Sequence, residues 1–403
     1  MITKFDSSYY GTVDMENLGY VGTPINERRY SQAELGGALH KVVEYAKCMD
    51  ERGYDTFWMA EHHFQPEGTE LIPNLLMMAM HLCGVTKNLH IGCGFNVVPM
   101  WHPLRLAEDY AMADILTGGR VIFGIGRGYH TREVETFGSP LMDQDANREL
   151  FEEGVDVIYK AFNEERFSHK GKYYTLPPEV PYRGYTLKEL TLVPRPFKLP
   201  VECWQPIQGG SMRALEFMAK HGIQGMVGGG SAEGGAMHKV VLDWQTAHAT
   251  LGKPIELGER LCFGFHFYMA NSREQGMKEA AKYYEENMKM FGELRLVRAI
   301  TEEQIEIMRD PRRAPTAKLP RIEDAVKAGG FLCGNADDLI EHIKALEKRY
   351  PALDRISVSL SVGVPEKVAL EQLDRFAKEV IPAFKGAEAR MGPLPTSDQR
   401  IPR

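Results

Sequence analysis

The chain has 403 residues, 43% of them hydrophobic, which accommodates one large core or two ordinary domains. Its 48 Lys plus Arg stand against 55 Asp plus Glu, a net charge of −7 without a long basic run, and this sets aside nucleic acid and anionic membrane surfaces as partners. No window approaches the roughly 20 apolar residues of a membrane span, and MITKFDSSYY carries no apolar targeting segment, so a cytoplasmic protein is expected.

The elements alternate along the chain. SQAELGGALHKVVEYAKCMDERG places Ser31 and Glu34 at capping-box spacing, keeps Leu35, Leu39, Val42, Val43, Ala46 and Met49 on one helical face, and closes at Gly53. YDTFWMA follows as a strand, NLLMMAMHLCGVT as a buried helix and LHIGCGFNVV as another strand. Pro103 then opens the helix LRLAEDYAMADILT, which stops at Gly118-Gly119 before the strand RVIFGIG. Strand starts near 54, 89 and 120 are one strand plus one crossover helix apart.

Further strands are VECWQPI (201 to 207), IQGMV (223 to 227), LCFGFHFYMA (261 to 270) and ISVSLSV (356 to 362). With a first strand somewhere in 5 to 22, this makes eight parallel strands and an α/β fold of the (β/α)8 TIM-barrel type. An open doubly wound sheet is the competitor. Residues 1 to 385 read as a single barrel domain with insertions near 163 to 200 and 284 to 328, and 386 to 403 as a loosely ordered tail. The six cysteines are scattered without a CxxC pair and read as reduced core residues.

Side chains at the carboxyl ends of barrel strands converge on one mouth. Glu61, His62 and His63 stand there after the second strand, where one histidine is expected to face the mouth while its neighbour packs the loop. No third ligand lies nearby in sequence, so no metal is expected. Gly94, in Cys93-Gly94-Phe95-Asn96, suits a bulge or the close approach of a flat ligand. GIGRGYH, 124 to 130, lacks the third glycine of a dinucleotide fingerprint, and its Arg127 presents a fork suited to phosphate. Gly209, Gly210 and Ser211 lead straight into a helix, whose unpaired N–H groups form an anion site; the plainer reading of Ser211 is an N-cap.

DTFWMAEHHF, the run LHIGCGFNVVPMWHPLRLAEDYAMADILTGGRVIFGIGRGYH and NRELFEEGVDVI together resemble the bacterial luciferase-like group of flavin-dependent monooxygenases. The similarity to luciferase α subunits runs across residues 35 to 160 and is thinner through 201 to 230 and near the C-terminus. The resemblance implies a barrel that binds FMN at its carboxyl mouth, with Arg127, Arg148 and Ser211 on the phosphate and Gly94-Phe95 as a cis peptide beneath the ring, beside Asn96. It puts His62 and Glu61 at the reactive face. Gly210, Ala214 and Gly126 depart from the family pattern, so the phosphate pocket is expected to rest on backbone and arginine, and light emission is not implied.

The implied function is FMNH2-dependent monooxygenation through a flavin C4a-(hydro)peroxide, inserting one atom of O2 into a hydrophobic organic molecule. Met100, Trp101 and His266, with Phe95, form an apolar and aromatic set expected to face that substrate. No dinucleotide fingerprint occurs, so a separate NAD(P)H:flavin reductase is the expected partner, and the resemblance adds a homodimer. The alternatives are a deazaflavin (F420)-dependent hydride-transfer enzyme on the same barrel and a non-catalytic flavin-binding homologue.

Overall fold

A computed structural model describes residues 1–228, 236–297 and 300–385. Eight parallel strands close into a barrel: β1 (Lys4–Ser8), β2 (Thr56–Met59), β3 (His90–Cys93), β4 (Val121–Gly126), β5 (Cys203–Ile207), β6 (Gln224–Gly228), β7 (Leu261–Met269) and β8 (Arg355–Ser359). Each pairs with the next in chain order, and β8 returns to β1 through Lys4, Phe5 and Asp6 against Arg355, Ile356 and Ser357. The closed ring excludes the open doubly wound sheet. The expected tail, 386 to 403, lies outside the described residues, and among the described residues no helix is long and apolar enough to cross a membrane.

The crossover helices start and stop on local chemistry. Ser31 accepts from the Glu34 N–H, the Glu34 carboxylate reaches back, and Gly53 closes Gln32–Arg52 in the left-handed conformation at φ 73°. Its buried face, with Val42, Tyr45, Ala46 and Met49, packs on the barrel wall. All six cysteines are unpaired, five of them buried.

Inside the barrel, below the mouth, lies a polar plug. Arg355 donates to Asp6 at 2.8 and 3.0 Å and to Thr56 at 2.8 Å, Trp58 Nε1 donates to Asp6 at 2.8 Å, and the guanidinium stacks 5.5 Å from the Trp204 ring. Burial outweighs the neighbouring arginine and lifts the Asp6 carboxyl above its ordinary range. Gly92 faces this plug because a Cβ there would lie 2.1 Å from the Trp58 ring.

The two long insertions differ. Residues 163 to 200 form two short hairpins, His169–Lys170 with Thr175–Leu176 and Val180–Tyr182 with Tyr185–Leu187, tied down where Glu153 accepts the backbone N–H groups of Lys172, Tyr173 and Tyr174. After β7, the helix Arg273–Glu293 lies against the mouth. Its buried Glu286 pairs with Arg28 at 3.0 Å and Lys289 at 2.8 Å, and Asn287 accepts the Val362 N–H at 2.8 Å. Strand Phe331–Gly334 then adds to the end of β7 outside the ring.

Candidate active site

A cavity of about 650 Å³ opens at the carboxyl ends of the strands. The loop after β2 brings Glu61 and His62 to it, the β3 end Gly94 and Phe95, the loop after β4 Arg127, and the turn after β5 Gly210 and Ser211. Arg148, from helix Gln144–Asn163, joins them. Phe291 from the overlying helix lines it too.

One part of the cavity gathers positive charge. Arg127 is held by Asn147 Oδ1 at 2.9 Å and by the Gln144 carbonyl at 3.0 Å. Burial, and then the charges of Arg148 and Arg213, push its pKa down from the usual guanidinium value. Ser211 is the N-cap residue of helix Met212–His221, yet its side chain makes no capping bond. The hydroxyl and the first N–H groups of that helix can therefore serve a ligand. Gly210 turns the chain there at φ 58°, where a side chain would be strained.

The floor is the Gly94–Phe95 peptide, which is cis. Nearby on β5, Gln205 lines the cavity at 7% exposure, and its buried Oε1 has no hydrogen-bond partner. Such an orphaned acceptor suits an N–H of a flat ring system.

The opposite end holds His62, 4% exposed. Its Nδ1 lies 3.2 Å from Glu133 Oε1, and its Nε2 lies 3.0 Å from Tyr129 Oη and 3.2 Å from Glu70 Oε1. Burial opposes charge on this ring, but the charge of Glu70 and the bonds to Glu133 and Glu70 outweigh it and raise the pKa to about 10. Reciprocally, Glu70 is lowered to about 2 against its own burial, with the His62 charge the main counterweight. Gln65 fixes Glu133 with a bond of 2.9 Å and is itself held by Thr69 at 2.6 Å.

The other residues singled out from sequence are placed differently. Glu61 lines the cavity but braces its loop: it accepts the Val97 N–H at 2.7 Å and Trp101 Nε1 at 2.9 Å, with His63 Nε2 at 3.2 Å. His63 packs on Phe64 and Phe137. Asn96 is buried beside the barrel, donating to the Gly124 carbonyl at 2.8 Å. Met100, Trp101 and His266 are not on the cavity wall. Met100 packs on Val97, Val134 and Leu141, and His266 Nε2 takes the Asn287 amide at 3.1 Å. Sequence reasoning missed Glu70, Tyr129, Glu133 and Gln205. Tyr129 stood in the GIGRGYH motif, but no spacing rule marks the other three.

Functional residues of a (β/α)8 barrel stand at this end of the strands, and two arginines and a buried histidine share one cavity there. The chain belongs to the luciferase-like monooxygenase family, whose pattern matches residues 18–352. It is 33% identical to the alkanal monooxygenase alpha chain of the Kryptophanaron alfredi symbiont over 156 residues, 38% of this chain and 42% of that one. The chain thus matches less than half the length of such curated relatives. Similarity to the oxygenase component of the flavin-dependent trigonelline monooxygenase of Acinetobacter baylyi is lower, 25% over 370 residues, but spans 89% of this chain and 94% of that one.

Two solved structures share the fold. The oxygenating constituent of 3,6-diketocamphane monooxygenase, from the CAM plasmid of Pseudomonas putida and in complex with FMN, superposes with a TM-score of 0.67 at 18% identity, covering 95% of this chain and 98% of that one. An F420-dependent secondary alcohol dehydrogenase superposes with a TM-score of 0.64 at 15% identity, covering 94% and 98%.

Proposed function

We propose that the chain is the oxygenase component of a two-component monooxygenase, using FMNH2 from a separate reductase and O2 to oxygenate an organic substrate. The observation that carries this reading is the meeting of Arg127, Arg148 and Ser211 with His62 in one cavity. The residues fit FMN: two arginines and an uncapped helix N-terminus suit a phosphate, and the unpartnered Gln205 Oε1 suits a ring N–H. The trigonelline relative, an oxygenase component matched over most of both chains, supports the two-component arrangement.

Reduced FMN, when bound, supplies the electrons that activate O2. The chain's own groups do the rest. Arg127, Arg148 and the Gly209–Ser211 turn hold the phosphate tail; Gly94 and Phe95 support the ring. Phe291 and the helix that carries it screen the mouth from water. His62 holds a proton at Nε2, against Tyr129 Oη, while Glu133 fixes the ring through Nδ1. Glu61 is a positioning residue that keeps the His62 loop against Val97 and Trp101.

Anaerobic titration with FMNH2, followed by admission of O2, tests the reading. Stoichiometric binding and a reoxidation course that differs from that of unbound FMNH2 are expected. Binding of reduced F420 in preference to FMNH2 would move the chain to the hydride-transfer branch, and binding with no change in reoxidation would make it a flavin-binding homologue without oxygenase activity.

A further inference from the structure

Glu70 and His130 meet His62 in an arrangement that the oxygenase reading leaves unused. His62 Nε2 lies 3.2 Å from Glu70 Oε1, and His130 Nε2 lies 3.4 Å from Glu70 Oε2. One ligand atom from each of the three falls within 4.8 Å of the other two. The side chains are buried, at 4%, 1% and 8% exposure for His62, Glu70 and His130. His130 Nε2 makes no aligned hydrogen bond and meets Glu70 Oε2 only at the ion-pair distance of 3.4 Å. A buried ring nitrogen normally has a full hydrogen bond, and this one stands without one beside the carboxylate that His62 also faces.

We propose that His62 Nε2, the Glu70 carboxylate and His130 Nε2 form a binding site for a divalent transition-metal ion of the zinc type. Zinc bonds nitrogen and carboxylate oxygen at roughly 2.0 to 2.2 Å, so neighbouring ligands of a tetrahedral site stand roughly 3.3 to 3.5 Å apart. The 3.2 and 3.4 Å spacings, which run to the two oxygens of the one carboxylate, are near that value, and the three ligand atoms, all within 4.8 Å of one another, need to close by only roughly 1 Å or a little more to share an ion. The supporting layer is also in place. His62 turns its other nitrogen to Glu133 at 3.2 Å, the carboxylate–histidine contact that orients metal-bound imidazoles, and Gln65 holds that carboxylate.

The fourth position is open to the cavity. Tyr129 Oη, 3.0 Å from His62 Nε2, stands beside it, and His62, Glu70 and Tyr129 all line the cavity, so a water can complete the sphere. Two carboxylates, Glu70 and Glu133, balance a doubly charged ion. The ligands escaped sequence reading because Glu70 lies eight residues beyond His62 (70 − 62) and His130 sixty-eight beyond it (130 − 62).

The site requires no flavin. Its consequence for the oxygenase is exclusion: His62 Nε2 cannot hold a proton and a metal ion together, so a filled site silences the proton-holding role.

Titration of the flavin-free, full-length protein with Co2+, read by visible absorbance and by calorimetry, tests the proposal. The expected result is one equivalent bound with the intense visible bands of a four- or five-coordinate ion. His130→Gln is expected to weaken binding about a hundredfold, and Glu133→Gln, which removes only the orienting contact, about 10- to 100-fold. His169→Gln, outside the cluster, is the control with unchanged binding. The faint spectrum of the hexaaqua ion, or equal affinity in wild type and His130→Gln, overturns the site. FMNH2 binding and reoxidation in the same preparations report on the oxygenase reading separately, so either can fail alone. Where both stand, Zn2+ slows reoxidation by O2 in wild type at concentrations that leave His130→Gln unaffected.

Discussion

His62 and Glu133 form an oriented pair: Nδ1 of the ring lies 3.2 Å from one carboxylate oxygen and 3.3 Å from the other, with both residues buried. The carboxylate selects the ring's rotation and directs Nε2 at Tyr129 and Glu70. Glu133→Gln keeps the size but removes the charge. It is expected to leave FMN affinity unchanged and to alter the reoxidation rate of bound FMNH2 by about 10- to 100-fold, part of the 10²–10⁴ attributed to a positioned acid–base group. His62→Ala should show the larger change with flavin still bound. Stopped-flow reoxidation at wild-type rate in His62→Ala would remove this residue from the mechanism.

Arg127→Ala should weaken FMN binding by about 1 to 3 kcal/mol, the scale of a hydrogen bond to a charged group. Equilibrium dialysis or fluorescence quenching measures it, and an unchanged Kd would take the phosphate elsewhere.

Acid should destabilise the fold through His266. Burial lowers its pKa from 6.5 to about 4, so the folded protein keeps it neutral while the unfolded chain protonates it first. The stabilisation is complete above pH 6.5 and is lost as pH falls from there to about 4. The shift corresponds to roughly 3 kcal/mol. In denaturant melts, His266→Gln should lose less stability than wild type over that window; parallel pH profiles would contradict this.

Breaking the barrel plug should cost more than replacing it. Arg355→Met leaves Asp6 buried without its cation and is expected to destabilise by about 3 to 5 kcal/mol, whereas the Asp6→Asn, Arg355→Met pair should recover part of the loss. Urea denaturation decides, and an additive double variant would show that the two residues are not coupled.

The barrel was legible because period and punctuation agree: Ser31 and Gly53 bracket a helix, and strand starts recur at the length of one strand and its crossover. That Arg127 and Ser211 meet at the mouth was legible for a similar reason, since both follow strand ends and a Gly-Gly-Ser turn has a local signature. Glu70, Glu133 and Gln205 were not, because their meaning lies in what stands opposite them across the mouth. Met100, Trp101 and His266 show the converse error. Apolar and aromatic side chains near strand ends served packing and loop bracing, as Trp101 does for Glu61 and His266 for Asn287. Composition does not distinguish a wall facing a ligand from one facing the protein.

Residues 127–133, the segment after β4, bring Arg127, Tyr129 and Glu133 to the cavity, with Tyr129 and Glu133 against His62. In the proposed oxygenase this short stretch would act as a yoke between the residues on the cofactor's tail and those around His62. A ligand that moved Arg127 would then move the backbone that carries the partners of His62, which would couple loading of the phosphate to the setting of the histidine.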